Sequence, residues 1–590
     1  MTSDDQAPDT LLERLAQLSL FEDCPVEELK NIVRQSGWIS LPAGQLLIEQ
    51  GAHSKTLYIL LSGRLSVVLN YGEASERRLS ELGPGETVGE MGVITGAPRS
   101  ASVVALRDSE LLRIPDDLIL PFLEQNPQIL LRLFGRVAQR VSHMTSDRDN
   151  SRRPRSIALI PLDTDSDWPA EAQRLAEAGG KQGYAFRLFQ PGDSLSGADG
   201  LEAAERAHDL VLLLADQTGE AEGSAWRTLC LRQADRIVFL VSAKSGGRQA
   251  SPLPPHLHRD RRRSDLVVRE QPGTKRPTPA KTWHAALSQA DWVHRLRPDE
   301  EEDYARLARH LLDRARCLVL SGGGARGFAH LGVIRALREA GEPIDLLAGT
   351  SMGAMVAAAC ALEWDEPTIT YNFSQAFVKG RPTSDFTLPL VALLSGRRVS
   401  KLLKTFFTDR QAEDLWRPFY SVATDLTNGV PALQSRGPLW RNLRASAAIP
   451  GLLPPVQDGG RFLGDGGVLA NLPVEFLLSP KRGPIMAVDI ARDPVLQASE
   501  EEVLDLEQPF WRLWPLIRAK KAPSMVSILL RAGTIGSERN GEGRDQIDLL
   551  ISPPLQEIGL LDWKAFERAR EIGYQEAKRV LMERDSPPAP

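Results

Sequence analysis

The chain has 590 residues, 42 % apolar and 25 % charged, a balance that suits two to four globular domains and excludes a disordered chain. Its net charge of −6 argues against a general nucleic-acid binder, and no apolar run is long enough to read as a transmembrane helix. Cys24, Cys230, Cys317 and Cys360 show neither metal spacing nor a disulfide framework, and the opening MTSDDQAPDT is no secretory leader, so a cytoplasmic protein with reduced thiols is expected.

Residues 10–36 carry two short amphipathic patterns, LLERLAQLSLF and PVEELKNIVRQ, which predict helices. From Trp38 to Ile114 the pattern becomes alternation broken by turns. LLIEQG, LYILLSG, RLSVVLNYG, RRLSELGPGE, ASVVALRDSE and LLRI read as strands of a small β-roll or barrel. Helical patterns return at DDLILPFLEQ and PQILLRLFGRVAQRVSHM.

Inside this β segment lies GEMGVITGAPRSAS, Gly89 to Ser102. Gly89-Glu90 opens a short helical turn, and a glycine-proline turn then leads to Arg99 and Ser100. A guanidinium fork matches a phosphate, Ser100 and turn N–H groups add hydrogen bonds, and Glu90 can accept from a ribose hydroxyl. The plainer reading is a surface salt bridge between Glu90 and Arg99. The run resembles the phosphate-binding cassette of cyclic-nucleotide-binding domains, over roughly residues 10–145. That resemblance implies cAMP or cGMP as a regulatory ligand, held by Gly89, Glu90, Arg99 and Ser100. Ser100 does not choose between the two.

Residues 146–155, SDRDNSRRPR, read as a solvated linker rather than a DNA-binding arm, since the apolar strand SIALIPL follows with no helix-turn-helix between. Residues 156–244 alternate strands and helices as a second α/β unit, without a phosphate loop or clustered nucleophile, which suits a structural or transmission role. Residues 245–280, rich in Pro, Arg and His, read as a loop or hairpin. His256 and His258 lack the further ligands a metal needs, so no metal is expected.

The chemistry concentrates in residues 317–357. CLVL is a short buried strand, SGGGARG a glycine loop, and FAHLGVIRALREAG a helix ended by Gly341. IDLLAG is a second strand, GTSMG a sharp turn, and MGAMVAAACAL a buried helix. This is an α/β unit with a parallel sheet. Gly349-Thr350-Ser351-Met352-Gly353 fits the nucleophile elbow, with Ser351 on a tight strand-to-helix turn at a helix N-terminus. Gly322-Gly323-Gly324-Ala325-Arg326-Gly327 also fits a dinucleotide fingerprint, but the next strand ends in the elbow instead of the ribose-binding acid. The preferred reading is an oxyanion loop. No histidine follows Ser351, and His330 in the preceding helix reads as packed or exposed, so the base should be a carboxylate. Asp465, between glycines on an expected exposed turn at a strand end in RFLGDGGV, is the best candidate, the plainer reading of DGG being a hairpin turn; Asp425 and Asp489 are weaker ones.

SGGGARGFAHLGV, GTSMG, ASAAIPGLLPP and DGGVLANLPV together resemble the patatin-like phospholipases. The neuropathy target esterase branch is closer still, through RPDEEEDYARLARHLLDRA upstream and LLDWKAFERAREIGYQEA downstream. The resemblance implies Ser351 as nucleophile, Asp465 as base, and Gly322, Gly323, Gly324, Ala325 and Arg326 in the oxyanion loop, with Gly349 and Gly353 shaping the elbow. It implies hydrolysis of a phospholipid or lysophospholipid ester without a catalytic cofactor.

The expected architecture is therefore multidomain: a cyclic-nucleotide-binding β-roll with flanking helices (1–145), a linker and α/β spacer (146–302), and an α/β patatin-like domain with a mainly parallel sheet (303–590). FTLPLVALLSGRRVSKLLKTFF (386–407) and QPFWRLWPLIRAKK (508–521) combine apolar and basic residues and are candidates for peripheral contact with the inner membrane face. The plainer reading of each is a packed helix with a basic edge. The tail SPPAP is expected to be disordered. A rival reading keeps the sensor and makes the C-terminal half a non-hydrolytic scaffold on membranes or partners.

Overall fold

The computed structural model describes residues 12–585 apart from 13, 14, 17, 19, 23, 74–75, 146–152, 194, 196, 217–224, 247–261, 479–482 and 491–542. His256, His258, the 508–521 stretch and the tail lie outside the described residues.

Three sheets follow one another along the chain. The first is an antiparallel roll dominated by β1 (Leu57–Leu69) and β2 (Ser102–Ile114), paired from Leu57↔Ile114 to Val68↔Ser102. The sequence predicts breaks inside both strands, after Gly63 and after Glu110. The structure instead carries each strand through, with register shifts between Leu60 and Leu65 on β1. Bulges absorb the polar residues without ending the ladder. Helices Val26–Gln35, Asp116–Gln125 and Pro127–Thr145 flank the roll and close a core of Leu29, Ile32, Leu57, Ile59, Leu112, Ile114 and Phe122.

The second sheet is parallel throughout, with six strands among the described residues. Its inner strands Ser156–Pro161, Leu210–Leu214 and Arg236–Ser242 are buried along their whole length, as covering helices on both faces require. It reaches beyond residue 244. Strand β3 (Ser264–Arg269) lies where the sequence suggests a loop, and Trp292–Leu296 forms the sheet edge. The strand signal in β3 is only Leu266, Val267 and Val268, masked by the arginine run before it.

Helix α1 (Glu301–Leu311) buries Tyr304, Leu307 and Leu311 on this second sheet, while its Arg309 pairs with Asp345 at the foot of the third.

The third sheet has a parallel centre. It is built on β4 (Cys317–Leu320), α2 (Ala329–Glu339), β5 (Leu346–Thr350), α3 (Met352–Ala361), α4 (Arg397–Phe407), β6 (Phe419–Asp425), α5 (Leu439–Ser446), β7 (Arg461–Asp465) and β8 (Ile485–Val488). The strand order β7-β6-β5-β4-β8 puts both glycine-bearing strand ends side by side. β4, β5, β6 and β8 run parallel, and β7 runs antiparallel to β6. The N-terminal roll, the parallel central sheet and the mostly parallel C-terminal sheet thus appear in the predicted order.

Candidate active site

β5 ends at Thr350, and α3 starts at Met352. Ser351 alone makes the turn, at φ 54° and ψ −120°. A side chain rarely holds that conformation without support. Here the Ser351 N–H donates to Ser446 Oγ at 2.9 Å, and the Ser446 hydroxyl donates to Val422 O at 2.5 Å. Thr350 Oγ1 donates to Ala470 O at 2.9 Å. The elbow is tied on both sides to neighbouring elements. α3 falls back onto β4 so closely that a Cβ on Gly353 would meet Leu320 O at 2.3 Å.

The glycine loop leaves β4 and passes beside the nucleophile. A Cβ on Gly322 would lie 3.2 Å from Ser351 Cβ. The backbone donors of this loop divide into two sets. Gly322 N–H donates to Asn471 O at 3.2 Å, Ala325 N–H to Leu560 O at 2.8 Å, and Arg326 N–H to Gly323 O at 3.2 Å. The N–H groups of Gly323 and Gly324 have no protein acceptor among the described residues. The buried Arg326 guanidinium donates to Ile558 O at 2.7 Å, which anchors the loop to the C-terminal segment. His330, fully buried, places Nε2 2.9 Å from Ser321 O at the head of the loop. Burial pushes its pKa down to about 4, so it is neutral at physiological pH and holds the carbonyl with an N–H.

Asp465 closes β7. Its N–H donates to Ala448 O, and its carbonyl accepts from Thr424 Oγ1, both at 2.9 Å. Oδ1 accepts the Gly467 N–H at 2.7 Å. Oδ2 is buried without a formed hydrogen bond. Burial pushes the Asp465 pKa up to about 6, against the lowering effects of the Gly467 N–H and the neighbouring Ser351 hydroxyl. The Ser351 hydroxyl thus neighbours the Asp465 carboxyl.

The other two acids are occupied. Asp425 Oδ1 accepts the N–H groups of Thr427 and Asn428, and Oδ2 the Asn428 amide, which makes it a turn builder. The Asn428 hydrogen bond leads the effects that hold its pKa below the usual range. Asp489 Oδ2 pairs with Arg544 at 2.9 Å.

Two residues escaped the sequence reading. Ser446 sits in the ASAAIP run, which by sequence is only one block of the family resemblance. Asn471 bridges the glycine loop and the Asp465 turn: its carbonyl accepts Gly322 N–H, and its Oδ1 would meet a Cβ on Gly467 at 2.9 Å. Neither residue has a local signal, because its partners are distant in sequence.

In the first sheet Gly89, at φ 93°, caps the short helix Glu90–Thr95, and Glu90 is buried. Arg99 is also buried. Its Nη1 donates to Gly89 O at 2.6 Å, and its Nη2 to Thr56 O at 2.7 Å and Ser54 Oγ at 3.2 Å. Nε is buried without a partner. The guanidinium, expected to contact a phosphate, is turned onto the Gly89 carbonyl of its own cassette and onto Thr56 and Ser54 just before β1. Ser100 is exposed beside it.

Residues 318–478 match the patatin-like phospholipase family, and residues 38–126 match the cyclic nucleotide-binding domain. The chain is 31 % identical over 594 residues to an uncharacterized NTE family protein of Mycobacterium tuberculosis, covering 97 % of this chain and 96 % of that one. It is 28 % identical to human patatin-like phospholipase domain-containing protein 6, over 92 % of this chain and 44 % of the human one. Mouse patatin-like phospholipase domain-containing protein 7 is also 28 % identical, over 94 % and 46 %. With the sensor roll, the glycine loop and the elbow in this order along one chain, the protein belongs to the NTE family, with a patatin-like phospholipase domain behind a cyclic nucleotide-binding domain.

Proposed function

We propose that the protein is a serine lipid esterase that uses Ser351 and Asp465 as a dyad on phospholipid or lysophospholipid esters. The observation that carries this reading is the buried Asp465 carboxyl neighbouring Ser351, its Oδ2 without a hydrogen-bond partner among the described residues, together with a glycine loop that passes beside Ser351 and keeps the N–H groups of Gly323 and Gly324 without a protein acceptor there. Asp465 takes the Ser351 hydroxyl proton as Oγ attacks the acyl carbonyl. The N–H groups of Gly323 and Gly324 stabilise the oxyanion. Collapse expels the alcohol, which leaves with the proton from Asp465. Water then attacks the acyl-enzyme, Asp465 again accepting a proton, and the fatty acid departs as Ser351 is restored. Gly322, Ala325 and Arg326 hold the loop in shape; Gly349 and Gly353 let the elbow pack.

The same proposal divides the chain near residues 145 and 302, and has the enzyme working from the cytoplasm on lipid, with no nucleic-acid partner. In the sensor, Gly89, Glu90, Arg99 and Ser100 take cAMP or cGMP. The unsatisfied Arg99 Nε favours an anion there, and the carbonyls of Gly89 and Thr56 must then share or release the guanidinium.

The test is fatty-acid release from lysophosphatidylcholine by the full chain beside Ser351→Ala, with and without saturating cAMP or cGMP. Activity in wild type and none in the variant is expected. Silence in both sinks the esterase reading, and equal rates with and without nucleotide count against coupling of the two sites.

A further inference from the structure

Residues 385–395 form a small hairpin. Phe386 bridges Leu394, Thr387 N–H donates to Leu393 O at 3.0 Å, and Ser395 N–H to Asp385 O at 2.8 Å. Its tip turns outward. Phe386 is 77 % exposed, Leu388 79 %, Leu390 88 % and Val391 69 %. Scattered exposed apolar residues are ordinary, but four large ones on one hydrogen-bonded tip form a patch that asks for an apolar neighbour.

The chain then enters α4, which buries Val399, Leu403 and Phe407 and turns Arg397, Arg398, Lys401 and Lys404 outward. No carboxylate forms an ion pair with any of these four among the described residues. Lys404 stands over the Trp440 ring at 4.2 Å. Ser395, Arg397, Ser400, Lys401, Lys404 and Thr405 line an open hollow of about 520 Å³ beside the hairpin. Beneath its rim, Arg444 reaches under Gly396, where a Cβ would meet Nη2 at 2.6 Å. Arg444 is buried; among the described residues Nη2 is satisfied by Pro454 O at 2.9 Å, and Nε and Nη1 have no partner. A carboxylate close by, Asp385, accepts from the Ser395 hydroxyl and the Arg398 N–H under the hairpin base.

The hairpin is also joined to the candidate active site. Leu393 and Leu394 N–H groups donate to Gly451 O and Leu452 O at 2.9 and 3.0 Å. The same short run begins at Ala448, whose carbonyl receives the Asp465 N–H.

We infer that the 386–391 tip and the cationic face of α4 form a docking surface for a bilayer bearing anionic phospholipids. The apolar tip enters the acyl region while the basic hollow takes phosphate headgroups, which sets the bilayer beside the Ser351–Asp465 site. Apolar insertion next to Lys and Arg is the combination that holds proteins at an interface, and each cation near an anionic surface strengthens it. The inference rests on the lipid-esterase reading only for its purpose; binding itself needs no hydrolysis.

The test uses the full chain carrying Ser351→Ala, floated with vesicles of phosphatidylcholine alone or mixed with phosphatidylglycerol. Binding is expected to the mixed vesicles, weakening as salt rises. Leu388→Ser with Leu390→Ser, and separately Arg397→Glu with Lys401→Glu, should each weaken it by about tenfold or more. In the Ser351 background both double variants should label with fluorophosphonate, and cleave a soluble short-chain ester, as wild type does; this shows that they fold. Absence of binding to mixed vesicles overturns the proposal, as does equal binding by the variants. So does a concentration-dependent dimer that the leucine variant dissociates while vesicle binding persists, since the patch then meets a second copy of the chain. If vesicles bind as expected but wild type hydrolyses no ester, the esterase reading fails and this surface stands.

Discussion

Asp465 carries the largest functional consequence of a single environment. Its pKa of about 6 comes from burial, only partly offset by the Gly467 N–H and Ser351. A general base must be ionised, so kcat/KM should rise with pH as one ionisation near 6 and then level. A profile that is flat between about pH 5 and 8 would point to another base. The same shift has a stability side. The native state holds this proton more tightly than the unfolded chain, where the pKa is near 3.8. The contribution of Asp465 therefore falls as pH rises from about 4 to about 6, by about 3 kcal/mol in all. Asp465→Asn should unfold at higher denaturant than wild type at pH 8, and at the same denaturant near pH 3. An Asn variant weaker than wild type at pH 8 would mean that the carboxylate is structurally favourable. The sequence already offered Asp465 ahead of Asp425 and Asp489. What it could not display is that the other two acids spend their oxygens on a turn and on Arg544.

At the scale of elements, the strand–loop–helix–strand–elbow–helix unit is legible because each piece announces itself locally. Cys317–Leu320 and Leu346–Thr350 are unbroken apolar runs, and Ala329–Glu339 and Met352–Ala361 keep helical spacing. Their mutual distance is less visible. Gly353 lets the first turn of α3 rest on β4, with Leu320 O where a Cβ would stand. Gly353→Ala should force the two apart, cost about 1–3 kcal/mol in urea unfolding, and lower kcat through the displaced Ser351. Unchanged stability and rate would show that α3 can shift freely. Strand β3 shows the opposite case. Three apolar residues beside an arginine run carry no clear local signal, yet between two hydrophobic neighbours they make a central strand.

Across the whole molecule, buried ion pairs join the units. Arg107 on β2 donates to both Glu205 carboxylate oxygens, at 2.5 and 3.1 Å, and lies 3.5 Å from Asp235. Arg64 on β1 lies 3.2 Å from the same Asp235. Burial opposes that charge, but Arg64, Arg107 and the N–H groups of Arg155 and Ser156 outweigh it and hold the Asp235 pKa below its usual range. Further along, Arg295 pairs with Glu270 at 3.0 Å and with Asp414 at 2.8 Å, fastening the second sheet to the third. Asp235→Ala leaves two buried guanidiniums without their shared partner and should cost about 3–5 kcal/mol. The loss should appear as earlier unfolding of the sensor roll in hydrogen exchange. Exchange unchanged across β1 and β2 would show that the contact is absent in solution. β2 also begins three residues after Arg99, so one strand runs from the nucleotide cassette to this contact.

The sequence by itself determined the order of units, the elbow, the glycine loop and the cassette, because backbone conformation and hydrophobic period are set by residues close together in the chain. Only the tertiary structure decided which loop N–H groups stay free, which of three acids keeps an open oxygen, and where Arg99 places its donors. Those outcomes depend on partners such as Ser446, Asn471, Leu560 and Thr56, which are distant in sequence and meet only when the sheets close.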